Sequence, residues 1–329
     1  MKTTGTTRRG FLKTVAGGAV AAGAVGLSPA AAQPLTPVKV GGVVLGDFGI
    51  AAPSLVALEK GFFKQNGLDA EFIPFKGGPD LLKGVLAGSA DIGLSGATDP
   101  LVFRDRGTTI RAMATILEKN HFTLTVAPSI KRVEDLKGGT IGVTVVGSTT
   151  WVFARMLSKK MGWDPEKDVK IVGGGGIDSL SAALRRGEMQ GIIFGDAGAV
   201  MEYQGIGKVI MRLDEVTPKW ISLVAYSTDE TIKAKKDTLQ RTLRAVFQGQ
   251  KFCRENPDES IRIAAKGIGW PEPATKRAYE LVRPLLSVDG RMDLDAMKYM
   301  QDTLLELGVL KQRLPLDQHY TTEFIPVKV

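Results

Sequence analysis

Gly77-Gly78-Pro79-Asp80 opens a stretch that runs through Leu82, Leu86, Gly88 and Ile92 to Ser95-Gly96, and the second half of the chain repeats its plan. There Gly175-Gly176-Ile177-Asp178 leads through Leu180, Leu184 and Gly187 to Ile192 and Gly195-Asp196. Each copy is a glycine turn, then leucines at helical spacing, then a short apolar run ending in small polar residues. That order spells turn, helix, strand and loop. A strand, a small loop and a helix also end in Gly61-Phe62 in one half and in Gly162-Trp163 in the other. Two similar lobes are predicted.

The same alternation extends outward from both copies. Short apolar strands at Val38–Leu45, Glu71–Phe75, Ile92–Ser95 and Ile110–Leu117 alternate with helical patterns at Ala52–Phe63, Pro79–Ala87 and Asp99–Asp105. Pro79 suits a first helical turn, where its missing N–H costs nothing. The rhythm restarts with strands at Phe122–Val126, Thr140–Val146, Val169–Val172, Gly191–Phe194, Lys208–Leu213 and Ile221–Tyr226, and helices at Thr150–Met161 and Ser179–Arg186. From Asp229 onward the pattern is nearly all helix. Repeated βαβ units imply an α/β fold with a parallel sheet in each lobe and helices on both faces.

The first 32 residues read as an export signal. Arg8-Arg9-Gly10-Phe11-Leu12-Lys13 precedes an Ala/Gly-rich apolar run to Leu27 and then Pro29-Ala30-Ala31-Ala32, so cleavage is expected after Ala32. The paired arginines resemble the twin-arginine motif. The apolar run is too short for a membrane-spanning helix, which needs about 20 apolar residues. The only cysteine, Cys253, lies in a helical stretch as a core thiol, so no lipid-anchor cysteine and no internal disulfide are available. The expected product is free, soluble and periplasmic. Lys2, Arg8, Arg9 and Lys13 supply four charges of the formal +8 among 329 residues, which leaves a mild balance. Basic and acidic residues alternate along helix faces, which argues against a nucleic-acid partner.

In open α/β sheets, solutes sit beyond the carboxyl ends of the strands. Those positions here are small and polar: Gly46–Gly49, Gly77-Gly78 and Ser95–Thr98 in one half, Gly147–Thr150, Gly173–Gly176 and Gly195-Asp196 in the other. Each opens a helix, whose unpaired N–H groups and partial positive charge favour an anion. Gly173–Gly176 is not followed by the Lys-Ser/Thr of a phosphate loop, and no Gly-x-Gly-x-x-Gly follows the first strand. Two histidines, one cysteine and no evident metal-ligand grouping argue against an enzyme and imply neither cofactor nor metal.

Four segments resemble a known family. They are Ala57–Phe63 with Gly67-Leu68, Gly88–Gly93, Val133–Val143, and Asp178–Leu184 with Gly187. Together they resemble the nitrate/sulfonate/taurine-type substrate-binding proteins of ABC importers, which include thiamine-precursor binders. The resemblance implies a type II periplasmic-binding-protein fold whose lobes are joined by two crossover segments. Lobe 1 would be Pro37–Lys119 with Ser227–Val329, and lobe 2 Asn120–Tyr226. It also implies hinge closure on a small molecule, a monomer, and an ABC permease in the inner membrane as partner. Carried over by position, the ligand contacts would be Asp47, Phe48, Gly49, Gly77, Gly78, Ser95, Gly96, Thr98, Ser148, Thr149 and Asp196, with His121 at the crossover. A small organic anion, sulfonate- or carboxylate-like, is the expected ligand.

Two features depart from that pattern. No arginine stands at a strand end of lobe 2 to clamp a sulfonate. Asp47 and Asp196 place acids in the cleft, either as helix caps or as partners for a ligand amine or hydroxyl. Trp151, Trp220 and Phe48 could stack on a ligand, although such aromatics commonly fill cores. A pyrimidine-like ligand, a sensory role and an enzyme on the same fold are the rival expectations.

Overall fold

The computed structural model describes residues 34–43 and 45–329, so the expected export signal lies outside the described residues. The first half supplies β1 (Thr36–Val43), α1 (Phe48–Glu59), α2 (Phe62–Gln65), β2 (Leu68–Phe75), α3 (Gly78–Leu86), β3 (Ile92–Gly96), α4 (Thr98–Asp105) and β4 (Ile110–Leu117). The second supplies β5 (Thr123–Val126), β6 (Thr140–Val143), α5 (Thr149–Lys160), β7 (Lys170–Gly173), α6 (Ile177–Arg185), β8 (Gly191–Phe194), α7 (Gly198–Tyr203) and β9 (Lys208–Arg212). The chain returns through β10 (Leu223–Thr228) and ends in α8 (Asp229–Ala234), α9 (Lys236–Glu255), α10 (Pro257–Ile268), α11 (Glu272–Val282) and α12 (Leu294–Glu306).

The strands form two five-stranded sheets, ordered β2-β1-β3-β10-β4 and β7-β6-β8-β5-β9. Position for position the orders match, so the repeat legible in the sequence is a repeat of topology. The expectation of parallel sheets needs correction. β10 runs antiparallel to β3 and β4, and β5 runs antiparallel to β8 and β9. The reason is geometric. All other strands point their carboxyl ends at the cleft, and a chain that crosses the cleft must enter the far sheet from that end. Each antiparallel strand is therefore the first strand after a passage between lobes. The second passage precedes Leu223, because β10 already pairs in the first sheet; the boundary read at Tyr226/Ser227 falls inside that strand.

Apolar packing follows this plan. One cluster fills lobe 1 between α1, the first sheet and the C-terminal helices, with Val40, Val56, Leu243, Phe247 and Ala264 buried. Helix α9 lies so close to α1 that a Cβ on Gly249 would stand 2.1 Å from the Pro53 carbonyl oxygen, a distance that only glycine permits. A second cluster is continuous from Leu81 and Leu101 in lobe 1 to Phe122, Phe153 and Ile193 in lobe 2. Phe122, Phe153 and Trp220 pack edge-on and tilted through it with ring centroids 5.0 and 5.3 Å apart. Burying such rings contributes roughly 1.5–3 kcal/mol each. The lobes are thus closed on one another.

Two of the recognisable motifs have structural jobs. Lys60 lies 4.9 Å from the Phe252 ring centroid and pairs with Glu259 at 2.9 Å, tying α1 to α9 and α10. Asp91 accepts from the Lys39 N–H at 2.8 Å and from Lys235 Nζ at 2.6 Å.

Candidate functional site

The strand ends and helix starts of both lobes meet at one place. Helix α1 begins at the extended N-cap Asp47, whose Oδ1 accepts from the Ile50 N–H at 3.1 Å. That leaves other N–H groups of the first turn to be satisfied. Asp196, at the end of β8 in the opposite lobe, reaches across: its carboxylate accepts from the Phe48 N–H at 2.9 Å and from the Gly49 N–H at 3.0 Å. The acceptor at this helix start is therefore the protein's own carboxyl group.

The two passages between lobes are tied together beside this contact. Asn120 Nδ2 donates to Thr217 Oγ1 at 2.7 Å, and His121 Nδ1 lies 2.6 Å from Ser222 Oγ. His121 Nε2 lies 3.0 Å from Asp47 Oδ2. Asp47, His121 and Asp196, which the sequence separates widely, thus form one buried group. Burial pushes the Asp196 carboxyl well above the usual range, and the neighbouring Asp47 charge pushes it further, against the two backbone N–H donors.

A second polar group sits where α4 of lobe 1 meets the start of α5 in lobe 2. Asp99, in the first turn of α4, accepts from Ser95 Oγ and, at 3.2 Å, from Thr149 Oγ1. Thr98 and Thr149 share a hydroxyl–hydroxyl hydrogen bond. Ser148, at the N-cap of α5, makes no side-chain cap; its Oγ lies 3.0 Å from Thr144 Oγ1 and 2.9 Å from Thr150 Oγ1. Glycine makes the crossing possible, since a Cβ on Gly96 would lie 2.1 Å from Thr149 Oγ1 and one on Gly78 2.0 Å from Asp99 Oδ2. Burial pushes the Asp99 carboxyl up to about 7, opposed by the Ser95 and Thr149 hydroxyls.

Between these groups lies a cavity of about 30 Å³, enough for roughly two waters. Of the residues singled out from sequence, Asp47, Gly77, Gly78, Ser95, Gly96, Ser148 and Thr149 line it. Phe48 and Gly49 do not: the Phe48 ring packs edge-on to Tyr279 in the lobe 1 core, centroids 5.7 Å apart, and only their backbone N–H groups face Asp196. Asp196, Thr98 and His121 stand behind the wall and hold it through the hydrogen bonds above. Trp220 is core, and Trp151 lies under Arg155 on α5. The sequence did not single out Asp99, Thr144, Phe122 or Phe194, which also line the cavity. Among the described residues, none of those lining it is lysine or arginine. The walls offer carboxyl oxygens, hydroxyls, two aromatic rings and the starts of α3 and α5.

Two sheets of one topology, closed around a polar chamber at their strand ends, define the two-lobed periplasmic-binding-protein fold. Comparison gives the family. Residues 50–260 match the model described as NMT1/THI5 like, and the chain belongs to that family. It is 24% identical over 303 residues to the binding protein BAB2_1146 of Brucella abortus, covering 89% of this chain and 92% of that one. It is 21% identical over 214 residues to the formylaminopyrimidine-binding protein of Halalkalibacterium halodurans, covering 63% and 64%. Among solved structures, a Bordetella bronchiseptica RB50 protein superposes with TM-score 0.77 at 24% identity, covering 88% and 95%. The alkanesulfonate-binding protein SsuA of Xanthomonas axonopodis pv. citri, bound to MOPS, gives 0.73 at 17%, covering 86% and 97%. These likenesses show the fold to be that of the periplasmic binding proteins. No helix among the described residues is long and apolar enough to cross a membrane.

Proposed function

We propose that this chain is the extracytoplasmic solute-binding component of an ABC importer, exported by residues 1–32 and docking to a permease in the inner membrane. It captures a small organic solute by hinge closure of the two lobes. The observation that carries this is the chamber itself, walled by helix starts and strand ends of both lobes, so that a change of inter-lobe angle widens it for a guest. Affinity comes from burying the solute against lining residues such as Phe122 and Phe194 and from hydrogen bonds to fixed donors and acceptors.

The wall chemistry refines the expectation of an organic anion. The α1 start already holds Asp196, and Asp99 and Asp47 present acceptors with no cation beside them in the wall. A bare anion such as nitrate has nothing to offer those carboxyl groups. The best-fitting solute donates N–H bonds to Asp99 and places an acceptor or anionic head at the α5 hydroxyls. Aminopyrimidines and aminosulfonates both meet that description, and relatives named for a pyrimidine and for sulfonates support it.

Thermal unfolding against a panel tests this: aminopyrimidines, aminosulfonates, simple sulfonates, carboxylates and nitrate. A true ligand at a hundredfold excess over its Kd stabilises by about 2.7 kcal/mol. The expected responders carry an amine or amidine; a response confined to nitrate or simple sulfonates overturns the donor requirement. A chain that responds to no compound and shows no reduction in radius of gyration overturns solute capture.

A further inference from the structure

We propose that Asp47, His121 and Asp196 form a transition-metal site, best suited to Zn²⁺, that clamps the two lobes together. One carboxylate oxygen from each aspartate and one imidazole nitrogen lie within 4.8 Å of one another. A single ion with bonds of about 2.0–2.2 Å gathers such a set with small adjustments. The donors come from three places: Asp47 from the start of α1 in lobe 1, His121 from the first passage, and Asp196 from the end of β8 in lobe 2. An ion held by all three resists separation of the lobes.

Three observations point to a cation. The first is the histidine's setting. His121 Nδ1 lies 2.6 Å from Ser222 Oγ on the second passage, which fixes the ring and aims Nε2 at Asp47. Metal-bound histidines have this arrangement, one ring nitrogen ligating and the other held by an outer hydrogen-bond partner. The second is charge. Asp47 and Asp196 are 2% and 0% exposed, and among the described residues neither pairs with a lysine or arginine. A divalent ion with two carboxylates and a neutral imidazole leaves no net charge buried, whereas unpaired buried carboxylates are costly. The third is space. A Cβ on Gly195 would stand 2.1 Å from Asp47 Oδ2 and 2.7 Å from His121 Nε2, so glycine alone keeps the meeting point clear.

Binding an ion replaces one hydrogen bond, that between His121 Nε2 and Asp47 Oδ2, and leaves the carboxylates lone pairs to spare. Each carboxylate oxygen has two lone pairs, and the backbone N–H bonds to Asp196 and Asp47 Oδ1 use one apiece. Asp47 and Gly195 also border the solute chamber, so the group lies directly behind its wall. Imidazole with carboxylate suits zinc and its neighbours; an all-oxygen set would suit magnesium or calcium.

The chain has only two histidines and one cysteine, which makes the test clean. The full chain is stripped with a chelator, dialysed and titrated with zinc chloride by calorimetry, and bound metal is counted by atomic emission. One zinc per chain is expected. His121→Ala should lose at least about a hundredfold in affinity. Ser222→Ala, which only unties the ring, should lose about 10–100-fold. His319→Ala should bind as the parent does, and magnesium should not compete. Zinc should raise the unfolding temperature of the parent and leave that of a folded His121→Ala chain unchanged. Should His121→Ala fail to fold, Ser222→Ala and His319→Ala still decide. No zinc uptake, or equal affinity in the parent and Ser222→Ala, overturns the site. Solute binding by the stripped chain is measured separately, so either reading can fail alone.

Discussion

The two lobes are built to one plan but treat their helix starts differently. Ser95-Gly96-Ala97 leads from β3 into α4, and Gly195-Asp196-Ala197 leads from β8 into α7, so Gly96 and Asp196 hold corresponding positions. Across the interface, Asp196 fills the space at the start of α1 with a carboxylate. Gly96 leaves the space at the start of α5 to Thr149. The N-caps differ in the same sense: Asp47 caps α1 with its side chain, whereas Ser148 does not cap α5. One crossing is thus plugged by the protein, and its counterpart opens on a chamber lined by hydroxyls. Two matching crossings end in different chemistry, one closed by a carboxyl group and one lined by hydroxyls.

The comparison can be broken at four points. Asp196→Ala should have the largest effect. It orphans two buried N–H groups and should cost about 2–4 kcal/mol in chemical denaturation, with a larger radius of gyration by X-ray scattering. If the scattering profile is unchanged, Asp196 does not hold the lobes together. On the other side of the pseudo-repeat, Gly96→Ala pushes a methyl into Thr149 and should cost about 1–3 kcal/mol. It should also abolish the ligand-induced thermal shift, because it distorts the hydroxyl-lined side.

A pH series sharpens the contrast further. The Asp99 carboxyl is raised from 3.8 to about 7 in the folded chain, so folding favours its protonated form. Its contribution is full below pH 4 and is lost as pH rises toward 7, with a slope of at most about 1.4 kcal/mol per unit. Asp99→Asn should make that slope shallower; an unchanged slope would show that Asp99 ionises normally. The smallest effect belongs to Ser148→Ala. Its hydroxyl caps nothing and bonds only to Thr144 and Thr150, so a loss of about 0.5–1 kcal/mol is expected by thermal unfolding. A cost matching that of Asp196→Ala would erase the asymmetry.

Much of the fold was legible because it is local. The glycine turns at Gly77-Gly78 and Gly175-Gly176 and the leucine spacing after them announce helix and strand without any distant contact. The strand-end loops were legible as a wall for the same reason, and seven of the residues chosen there do line the cavity. What the sequence hid depends on distance or on ordinary appearance. Asp99 looks like any acid in a first helical turn, and only the partner lobe gives it Thr149. Phe48 sits in the right loop, but its ring turns into the core toward Tyr279, far along the chain. Asp47, His121 and Asp196 meet only where the two lobes close on one another. The reversal of β5 and β10 was hidden too, because direction within a sheet leaves no mark on an apolar run of five residues.

That reversal has a consequence for assembly. β10 lies between β3 and β4, so the first sheet stays split until the chain beyond Leu223 is available. The second sheet, by contrast, is contiguous from Thr123 to Arg212 and needs nothing from outside that span. The inserted half can therefore acquire its structure early, as a local event, while its host waits for a late strand and pays the entropy of a long-range closure. Synthesis from the N-terminus therefore completes the strands of the inserted sheet before those of its host.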